Sequence, residues 1–252
     1  MSLLTPTLAR TVRGTGPALL VAHGAGGSVE TNFGPVLPQL SAQHTVVGVD
    51  YPGTGQTPPS STRLELDDLA DQLIAAADAE GLQTFALAGF SLGGPVAIRV
   101  AARHPDRVTA LVLTATFAYP DVRLRLAAKI WHDLYRAGDR VLLAEFLTLV
   151  AFSRPALEVF DGLDALAAAI PPGTPDHVEL IDRVDVRADL ATISAPTLVV
   201  VTSHDPLVAP ALQHELAAAI PGARLSEIET GHLPFAEAPE RWAELVTSFL
   251  PV

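Results

Sequence analysis

The sequence contains no cysteine, and this absence removes several kinds of chemistry. Without thiols the chain cannot form a disulfide, hold a metal through thiolates or use a cysteine nucleophile. Its histidines and carboxylates show no spacing typical of metal ligands, so no metal site is predicted. The glycine-rich stretch 24–27 is not followed by Gly-Lys-Ser/Thr, so it does not predict a phosphate-binding loop either.

Long hydrophobic runs are also missing. No stretch reaches the roughly 18 uninterrupted apolar residues that a transmembrane helix needs. The richest stretch, 85–98, is interrupted by Ser91, three glycines and Pro95. The first ten residues lack a basic segment followed by a long apolar core, so they are not predicted to be a signal peptide. We therefore expect a cytoplasmic protein with no membrane partner.

Basic residues are fewer than acidic ones. Sixteen Lys and Arg residues against 28 Asp and Glu residues give a formal net charge of −12. This balance disfavours nucleic acid and anionic membrane surfaces as partners, because both are themselves negatively charged. The chain has 252 residues, 49% of them hydrophobic, which is enough for one large α/β domain with a sizeable core and room for an insertion.

One short stretch has the pattern of a reactive turn. Residues 89–93 read Gly-Phe-Ser-Leu-Gly, the apolar run 84–88 before them predicts a buried strand, and 95–102 predicts a helix. A Gly-x-Ser-x-Gly between a strand and a helix is typical of a nucleophile elbow. The glycines permit a turn so tight that the serine hydroxyl is presented at the top of the sheet. Ser91 is therefore the candidate nucleophile.

Two further residues have positions that suit a base and an acid. A serine hydroxyl needs a base to attack at neutral pH, and that base needs a partner that orients it. Reactive groups of parallel sheets collect at the carboxyl ends of the strands. Asp205 follows the apolar run 197–201 by a short loop, and His232 follows 224–228 in the same way. We predict His232 as the base and Asp205 as its partner.

The order of strand and helix patterns predicts the architecture. Alternation up to residue 116 favours a mostly parallel central sheet with helices on both faces. Only helical periodicity follows from 117 to 190, and strand patterns then resume. We therefore predict a core domain in two parts, 1–116 and 191–252, with a helical cap insertion at 117–190.

Two local patterns concern the edges of these elements. Residues 7–12 predict an edge strand. Thr62-x-x-Glu65 has the spacing of a capping box at the start of a helix, and Gly81 has the position of a glycine that ends it. The capping box and Gly81 together place a helix between the second and third predicted parallel strands.

These features together resemble the α/β-hydrolase fold family over nearly the whole chain. The chain looks most like small esterases, enol-lactonases and cofactor-free haloperoxidases, and the chain order Ser91, Asp205, His232 is the order of this family. The resemblance implies an α/β-hydrolase fold. The matching motifs are His23-Gly24, Asp50-x-x-Gly53-x-Gly55, the elbow at 89–93, His104-Pro-Asp-Arg-Val108, Pro196-Thr-Leu-Val-Val-Val, Asp205 and Gly231-His232.

The resemblance also implies roles for single residues. Ser91 would form an acyl-enzyme, His232 would carry the proton, and Asp205 would stabilise the charged imidazole. The backbone N–H groups of Ala25 and Leu92 would form the oxyanion hole. The prediction is a serine hydrolase that needs no cofactor and cleaves a carboxylic ester or lactone of a small, largely apolar substrate.

The region above Ser91 is expected to form the substrate pocket. Most aromatic residues at helical spacing pack in a core, but one or two that face Ser91 would create an apolar acyl or alcohol pocket. His23 is expected to brace the oxyanion loop by hydrogen bonding. The candidate substrate-binding residues are Phe90, Phe117, Trp131, Tyr135 and Leu207.

Other functions are compatible with the same residues. The same triad serves thioester cleavage, carbon–carbon bond hydrolysis, acyl transfer and perhydrolysis. Serine rather than aspartate at the elbow argues against epoxide hydrolases and haloalkane dehalogenases. A non-catalytic protein that binds a small molecule on the same fold is a further alternative, against which the intact triad argues.

Overall fold

A mostly parallel sheet forms the centre of the computed structural model, which describes residues 8–251. Its seven strands within that range are β1 (Arg10–Arg13), β2 (Ala18–Ala22), β3 (Thr45–Val49), β4 (Phe85–Phe90), β5 (Val108–Thr114), β6 (Thr197–Thr202) and β7 (Arg224–Ile228). They lie in the order β1-β3-β2-β4-β5-β6-β7. β1 is antiparallel to β3, and the other neighbouring pairs are parallel. The predicted fold class is confirmed.

Helices connect the parallel strands, as crossovers between such strands require. None of the helices in the described part of the chain has the length and apolarity needed to cross a membrane. They are α1 (Val29–Phe33), α2 (Leu37–Ser41), α3 (Leu66–Ala79), α4 (Gly93–Arg103), α5 (Val122–Ala137), α6 (Arg140–Ala151), α7 (Arg154–Leu157), α8 (Leu163–Ala169), α9 (Thr174–Arg183), α10 (Arg187–Leu190), α11 (Pro210–Ala219), α12 (Pro234–Glu237) and α13 (Pro239–Phe249).

The two faces of the sheet have separate hydrophobic cores. Alternate residues of a strand point to opposite faces, so Leu19 and Val21 of β2 pack in one core and Leu20 and Ala22 in the other. The first core includes buried residues of α1, α2 and α13, and the second includes those of α3, α4 and α11. Burial on both faces explains why the central strands are continuous apolar runs in the sequence.

The parallel strands bring His23, which is predicted to brace the oxyanion loop, and the three predicted catalytic residues to one edge of the sheet. His23 directly follows β2, Ser91 directly follows β4, and Asp205 comes three residues after β6. His232 comes four residues after β7. Because all of these strands run in the same direction, their carboxyl ends form a single edge, and the loops that carry the four residues meet there.

Two local predictions change in the structure. The capping box is wrong: α3 begins after Glu65, which is itself the N-cap in extended backbone and makes no capping hydrogen bond through its side chain. Gly81 follows the end of α3 with a φ of +69°, as a terminating glycine should. The predicted edge strand corresponds to β1, although its first residue, Thr7, lies outside the described residues, as do the other residues of 1–7.

Six helices, α5 to α10, lie between β5 and β6, in a stretch that is described throughout. We refer to them as the insertion. α5 packs against α6 and α9, α6 packs against α8, and α10 contacts α4 and α11 of the core. The predicted domain bounds 1–116, 117–190 and 191–252 stay predictions.

Trp242 of α13 connects the C-terminal helix to the sheet. Its side chain is fully buried, its ring lies 4.7 Å from that of Phe235, and its indole N–H donates to Thr114 Oγ1 at 3.0 Å. Removing the whole ring system or only the N–H donor should therefore lower the free energy of unfolding by different amounts.

We expect Trp242→Ala to lower the free energy of unfolding by about 3–5 kcal/mol, because it creates a cavity in a close-packed core. Trp242→Phe should lower it by only about 1–3 kcal/mol, because it keeps a ring but leaves the Thr114 hydroxyl without its donor. Urea denaturation measures both values. Equal losses in the two variants would contradict the assigned role of the indole N–H.

Candidate active site

Ser91 lies in the turn between β4 and α4 and has an unusual backbone conformation. Its φ is +51°, in the left-handed region that residues other than glycine rarely adopt. The end of β5 and the residues after it hold this turn, because Ser91 N–H donates to Thr114 O at 3.2 Å and Thr116 Oγ1 donates to Ser91 O at 2.7 Å. A Cβ at Gly89 would lie 2.5 Å from Gly93 O, so the tight turn requires the glycine.

Ser91, His232 and Asp205 form a continuous chain of hydrogen bonds. Asp205 Oδ2 lies 2.8 Å from His232 Nδ1, and His232 Nε2 lies 3.0 Å from Ser91 Oγ. A carboxylate only accepts, so Nδ1 carries a proton and Nε2 is free to accept from the serine hydroxyl. All three residues are buried. The structure thus brings together the three residues that the sequence places 114 and 27 positions apart.

Polar groups around Asp205 satisfy its buried carboxylate. Its Oδ1 accepts from the backbone N–H groups of Leu207 at 2.9 Å and Val208 at 2.8 Å. Its Oδ2 accepts from Thr202 Oγ1 at 2.9 Å, and Gln213 Nε2 donates to the same hydroxyl at 3.0 Å. Gln213 is fully buried in α11. No sequence motif marks Gln213, whose role depends on the packing of α11 against β6.

The insertion holds the loop that carries His232. The backbone N–H of His232 donates to Ala151 O at 2.7 Å, at the end of α6. Glu237 Oε1 accepts from the N–H groups of Gly231 and Ser153, each at 3.0 Å, and its second oxygen accepts from the Ser153 hydroxyl. Sequence reasoning missed Glu237, because its partners lie 6 and 84 residues away.

His23 braces the loop between β2 and α1, as predicted. Its Nε2 accepts from the backbone N–H of Tyr51 at 2.9 Å, so the proton is on Nδ1, which donates to Gly24 O at 2.8 Å. Both contacts need the neutral ring. Complete burial lowers the pKa of His23 to about 4, against the opposing effect of the Gly24 carbonyl.

His177 of α9 holds the same loop from the insertion. Its Nδ1 accepts from Gly26 N–H at 3.1 Å, so Nε2 carries the proton and donates to Pro52 O at 3.0 Å. Burial and the nearby His23 lower the pKa of His177 to about 3. Beside it, Gly173 N–H donates to Gly53 O at 2.9 Å. His177 was not predicted, because its partners lie 125 and 151 residues away.

The two predicted oxyanion donors lie in the loops that follow β2 and β4. Ala25 lies in the loop braced by His23 and His177 and lines the cavity next to Ser91. Leu92 directly follows Ser91 and is the N-cap of α4. Within residues 8–251, the backbone N–H groups of Ala25 and Leu92 have no hydrogen-bond partner. Both donors are therefore free to bind a developing negative charge.

A cavity of about 480 Å³ opens next to Ser91 and His232. The helices α5, α6, α8 and α9 of the insertion form much of its wall, and the glycine loop after β2 forms the rest. Four of the five predicted substrate-binding residues line it: Phe90, Phe117, Trp131 and Leu207. Tyr135 does not line it. Its hydroxyl instead donates to Pro172 O at 3.4 Å, and Arg140 stacks 4.7 Å from its ring centre.

The side chains that commonly hold metal ions are dispersed in the structure. Among the described residues, no group of three or more His, Cys, Asp or Glu side chains is arranged to hold a metal ion. The imidazoles of His23, His177 and His232 already use both ring nitrogens in hydrogen bonds.

This sheet, elbow and triad geometry define a member of the α/β-hydrolases. The model of the alpha/beta hydrolase fold family matches residues 17–239, and the chain belongs to this family. The resemblance stated from the sequence motifs is thereby confirmed.

Two named relatives align with most of the chain. The chain is 37% identical over 248 residues to a pyrrolizixenacetamide deacetylase of Xenorhabdus hominickii, covering 95% of this chain and 92% of that protein. It is 31% identical over 232 residues to a pimeloyl-[acyl-carrier protein] methyl ester esterase of Neisseria meningitidis serogroup B, covering 86% and 87% of the two chains. These relatives support hydrolase activity for the chain.

A solved structure has the same fold along almost the full chain. A hydrolase from Pseudomonas aeruginosa PA01 superposes with a TM-score of 0.84 at 27% identity, covering 97% of this chain and 94% of that one. The non-heme bromoperoxidase BpoC of Mycobacterium tuberculosis H37Rv, named as putative, gives a TM-score of 0.87 at 25% identity, covering 99% and 97%. The helical insertion is included in these matched lengths.

The buried neutral histidines should make stability depend on pH. An unfolded histidine has a pKa of about 6.5, whereas His23 and His177 titrate at about 4 and about 3 when folded. Above pH 6.5 both histidines are neutral in the folded and the unfolded chain, so they cause no pH dependence. As the pH falls below 6.5, only the unfolded chain gains protons on these histidines. Each histidine should then lower the free energy of unfolding by about 1.4 kcal/mol for every unit by which the pH falls.

Urea denaturation between pH 6 and pH 5 measures this slope. His177→Gln keeps a hydrogen-bond acceptor but does not titrate, so the slope should become shallower by about 1.4 kcal/mol per pH unit. Parallel curves for the wild type and the variant would show that His177 does not remain neutral in the folded protein.

Proposed function

We propose that this protein is a serine hydrolase that cleaves a carboxylic ester or lactone of a small, largely apolar substrate. The hydrogen-bond chain from Asp205 through His232 to Ser91 carries the proposal, because it ends at a cavity next to unpaired backbone donors. The cavity wall contains no Asp, Glu, Lys or Arg side chain among the described residues, which favours an uncharged acyl group.

Acylation would begin with attack by Ser91 Oγ on the carbonyl carbon. His232 Nε2 would accept the hydroxyl proton, and Asp205 would stabilise the imidazolium that forms. The carbonyl oxygen would become an oxyanion between the N–H groups of Ala25 and Leu92. Collapse of the tetrahedral intermediate would break the bond to the alcohol oxygen, which would take the proton from His232 and leave the acyl group on Ser91.

Deacylation would repeat these steps with water. His232 Nε2 would take a proton from the water as its oxygen attacks the acyl-enzyme carbonyl. The second tetrahedral intermediate would use the same two backbone donors. Its collapse would return the proton to Ser91 Oγ and release the carboxylic acid, so the enzyme would regain its starting state.

The left-handed backbone of Ser91 supports this role over a purely structural one. Such a conformation costs about 1–3 kcal/mol and persists only where surrounding contacts impose it. Here the strain places a hydroxyl 3.0 Å from an imidazole whose other nitrogen is held by a carboxylate. A protein that only bound a small molecule would not need this arrangement.

A fluorophosphonate probe should label the wild-type protein at Ser91 and should not label Ser91→Ala. His232→Ala should reduce the labelling rate by at least about 10³-fold, because the hydroxyl loses its base. Mass spectrometry of the intact protein and its peptides measures the adduct. Circular dichroism of both variants is the control for folding, and a folded wild-type protein that resists the probe and does not hydrolyse p-nitrophenyl acetate would refute the proposal.

Amide deacetylation is a second candidate function. The relative with 37% identity over 95% of this chain is named as a deacetylase of an acetamide. The triad can in principle expel an amine, provided that His232 protonates the leaving nitrogen.

Matched acetyl substrates distinguish the two functions. For an esterase, phenyl acetate and benzyl acetate should be hydrolysed while N-phenylacetamide and N-benzylacetamide are not. For an amide deacetylase, kcat/KM for N-benzylacetamide should approach that for benzyl acetate. Ser91→Ala is the blank for both series, and amide turnover within about tenfold of ester turnover would favour the deacetylase function.

A further inference from the structure

The loop after β2 contains a tight turn over residues 24–27. Gly27 N–H donates to Gly24 O at 3.2 Å, and Gly26 has a φ of +65°. A four-residue turn closed in this way does not use the N–H groups of its two central residues, Ala25 and Gly26. The orientation of the turn therefore depends on what the rest of the protein offers to these groups and to their neighbours.

The peptide group that joins Gly24 to Ala25 is held at its carbonyl end. Gly24 O accepts from His23 Nδ1 at 2.8 Å as well as from Gly27 N–H. Because the C=O and N–H of a trans peptide point in opposite directions, these two bonds direct the Ala25 N–H away from His23. The nucleophile is close to this peptide, since a Cβ built at Gly24 would lie 3.2 Å from Ser91 Cβ.

The peptide groups on both sides of this one are held by side chains. Gly24 N–H donates to Asn32 Oδ1 at 2.9 Å, and Gly26 N–H donates to His177 Nδ1 at 3.1 Å. Asn32 lies in α1 of the core, whereas His177 lies in α9 of the insertion. Of the three consecutive N–H groups, that of Ala25 is the one without a partner in the described part of the chain.

Close packing limits the movement of the turn. A Cβ built at Gly27 would lie 2.4 Å from Asn32 Oδ1, and one built at Gly26 would lie 3.2 Å from the Trp131 ring. His177 is fully buried, and its Nε2 donates to a backbone carbonyl at 3.0 Å, which fixes the ring and leaves Nδ1 as the acceptor. The turn is therefore held between a side chain of the core and side chains of the insertion.

We propose that Asn32 and His177 are positioning residues of the oxyanion hole. They hold the peptide groups on either side of Ala25, so that its N–H points to the place where the carbonyl oxygen of the substrate acquires negative charge. This inference rests on the proposed function. It gives the insertion a role in the chemical steps as well as in the shape of the cavity, because His177 belongs to a helix of the cavity wall.

Isosteric variants separate the acceptor atoms from the packing. His177→Asn and His177→Leu introduce side chains of the same size and shape, and both lose the bond made by Nε2. Of the two, only His177→Asn can place an acceptor near the position of the imidazole Nδ1. Asn32→Leu likewise removes the acceptor for Gly24 N–H and keeps the size of the side chain. Thr148→Val is the matched control, because Thr148 is buried in α6, donates to a carbonyl of its own helix at 2.8 Å and does not line the cavity.

We expect Asn32→Leu and His177→Leu each to lower kcat for p-nitrophenyl acetate by about tenfold to hundredfold, less than the roughly 10²- to 10³-fold typical for loss of an oxyanion donor itself. Acylation and deacylation use the same donors, so both rates should fall together and KM should stay within about twofold. His177→Asn should recover most of the loss, and Thr148→Val should lose nothing. Equal kcat values for His177→Asn and His177→Leu, or a loss confined to KM, would overturn the inference.

A ketone that mimics the tetrahedral intermediate measures the oxyanion hole directly. Ser91 Oγ would add to the carbonyl carbon of 2,2,2-trifluoroacetophenone, the hydroxyl proton would move to His232 Nε2, and the carbonyl oxygen would become an oxyanion with no leaving group to depart. The inhibition constant of this ketone should rise in Asn32→Leu and His177→Leu by about the factor by which kcat/KM falls. Acetophenone, which lacks the activating fluorines, should bind all variants equally. An unchanged inhibition constant for the fluorinated ketone would contradict the positioning role.

Relaxation of the backbone ¹⁵N nuclei tests the positioning without any turnover. In the wild type and in His177→Asn, the amides of Ala25 and Gly26 should be as ordered as those of β2, whereas in His177→Leu they should be more mobile. A wild type that hydrolyses no ester would refute the proposed function, and this comparison would remain. Mobility confined to His177→Leu would still support the positioning role, and equal order and chemical shifts in all three proteins would overturn it.

Discussion

Ser91 has a φ of +51°, a conformation in which the Cβ of an L-residue approaches backbone atoms too closely to persist without support. Several features around Ser91 permit or support this backbone conformation. Glycine is required at position 89, the hydroxyl of Thr116 donates to the Ser91 carbonyl, and β5 receives the Ser91 N–H. The helix α4 must start directly after the turn. The elements β4, β5 and α4 together hold the Ser91 hydroxyl 3.0 Å from His232 Nε2.

Contacts between the insertion and the core converge on the reactive loops. Ala151 O receives the N–H of His232, His177 receives the N–H of Gly26, and Glu237 joins Ser153 to Gly231. Each of these bonds satisfies a buried or half-buried backbone group, which would be costly to leave unpaired. The insertion thus forms the wall of the cavity and also fixes the geometry of the loops beneath it. The wall of the cavity and the geometry of the loops therefore depend on the same helices.

The fold could be predicted because each signal is local. Buried parallel strands are short apolar runs, and the runs at 84–88 and 197–201 overlap β4 (Phe85–Phe90) and β6 (Thr197–Thr202). Ser91, Asp205 and His232 could be predicted because each lies in a loop directly after a predicted strand. His177, Glu237 and Gln213 could not be found in this way, because their partners are set by tertiary packing and carry no spacing rule. Tyr135 shows the related error for the pocket: it lies one turn after Trp131, yet its ring packs against Arg140 outside the cavity wall. Glu65 became an N-cap because extended backbone continues up to that residue.

The hydrogen bond between His177 and Gly26 matters when the helical insertion is replaced by that of a related protein. A helical segment from a homologue can match the dimensions of the cavity and still lack an acceptor at this point. The Gly26 amide would then turn toward another acceptor, and the adjacent Ala25 amide would rotate with it. Chimaeras that combine the insertion of one protein with the core of another should therefore fold correctly mainly when both proteins have this hydrogen bond. An exchange of whole insertions therefore has to preserve this imidazole as well as the shape of the cavity.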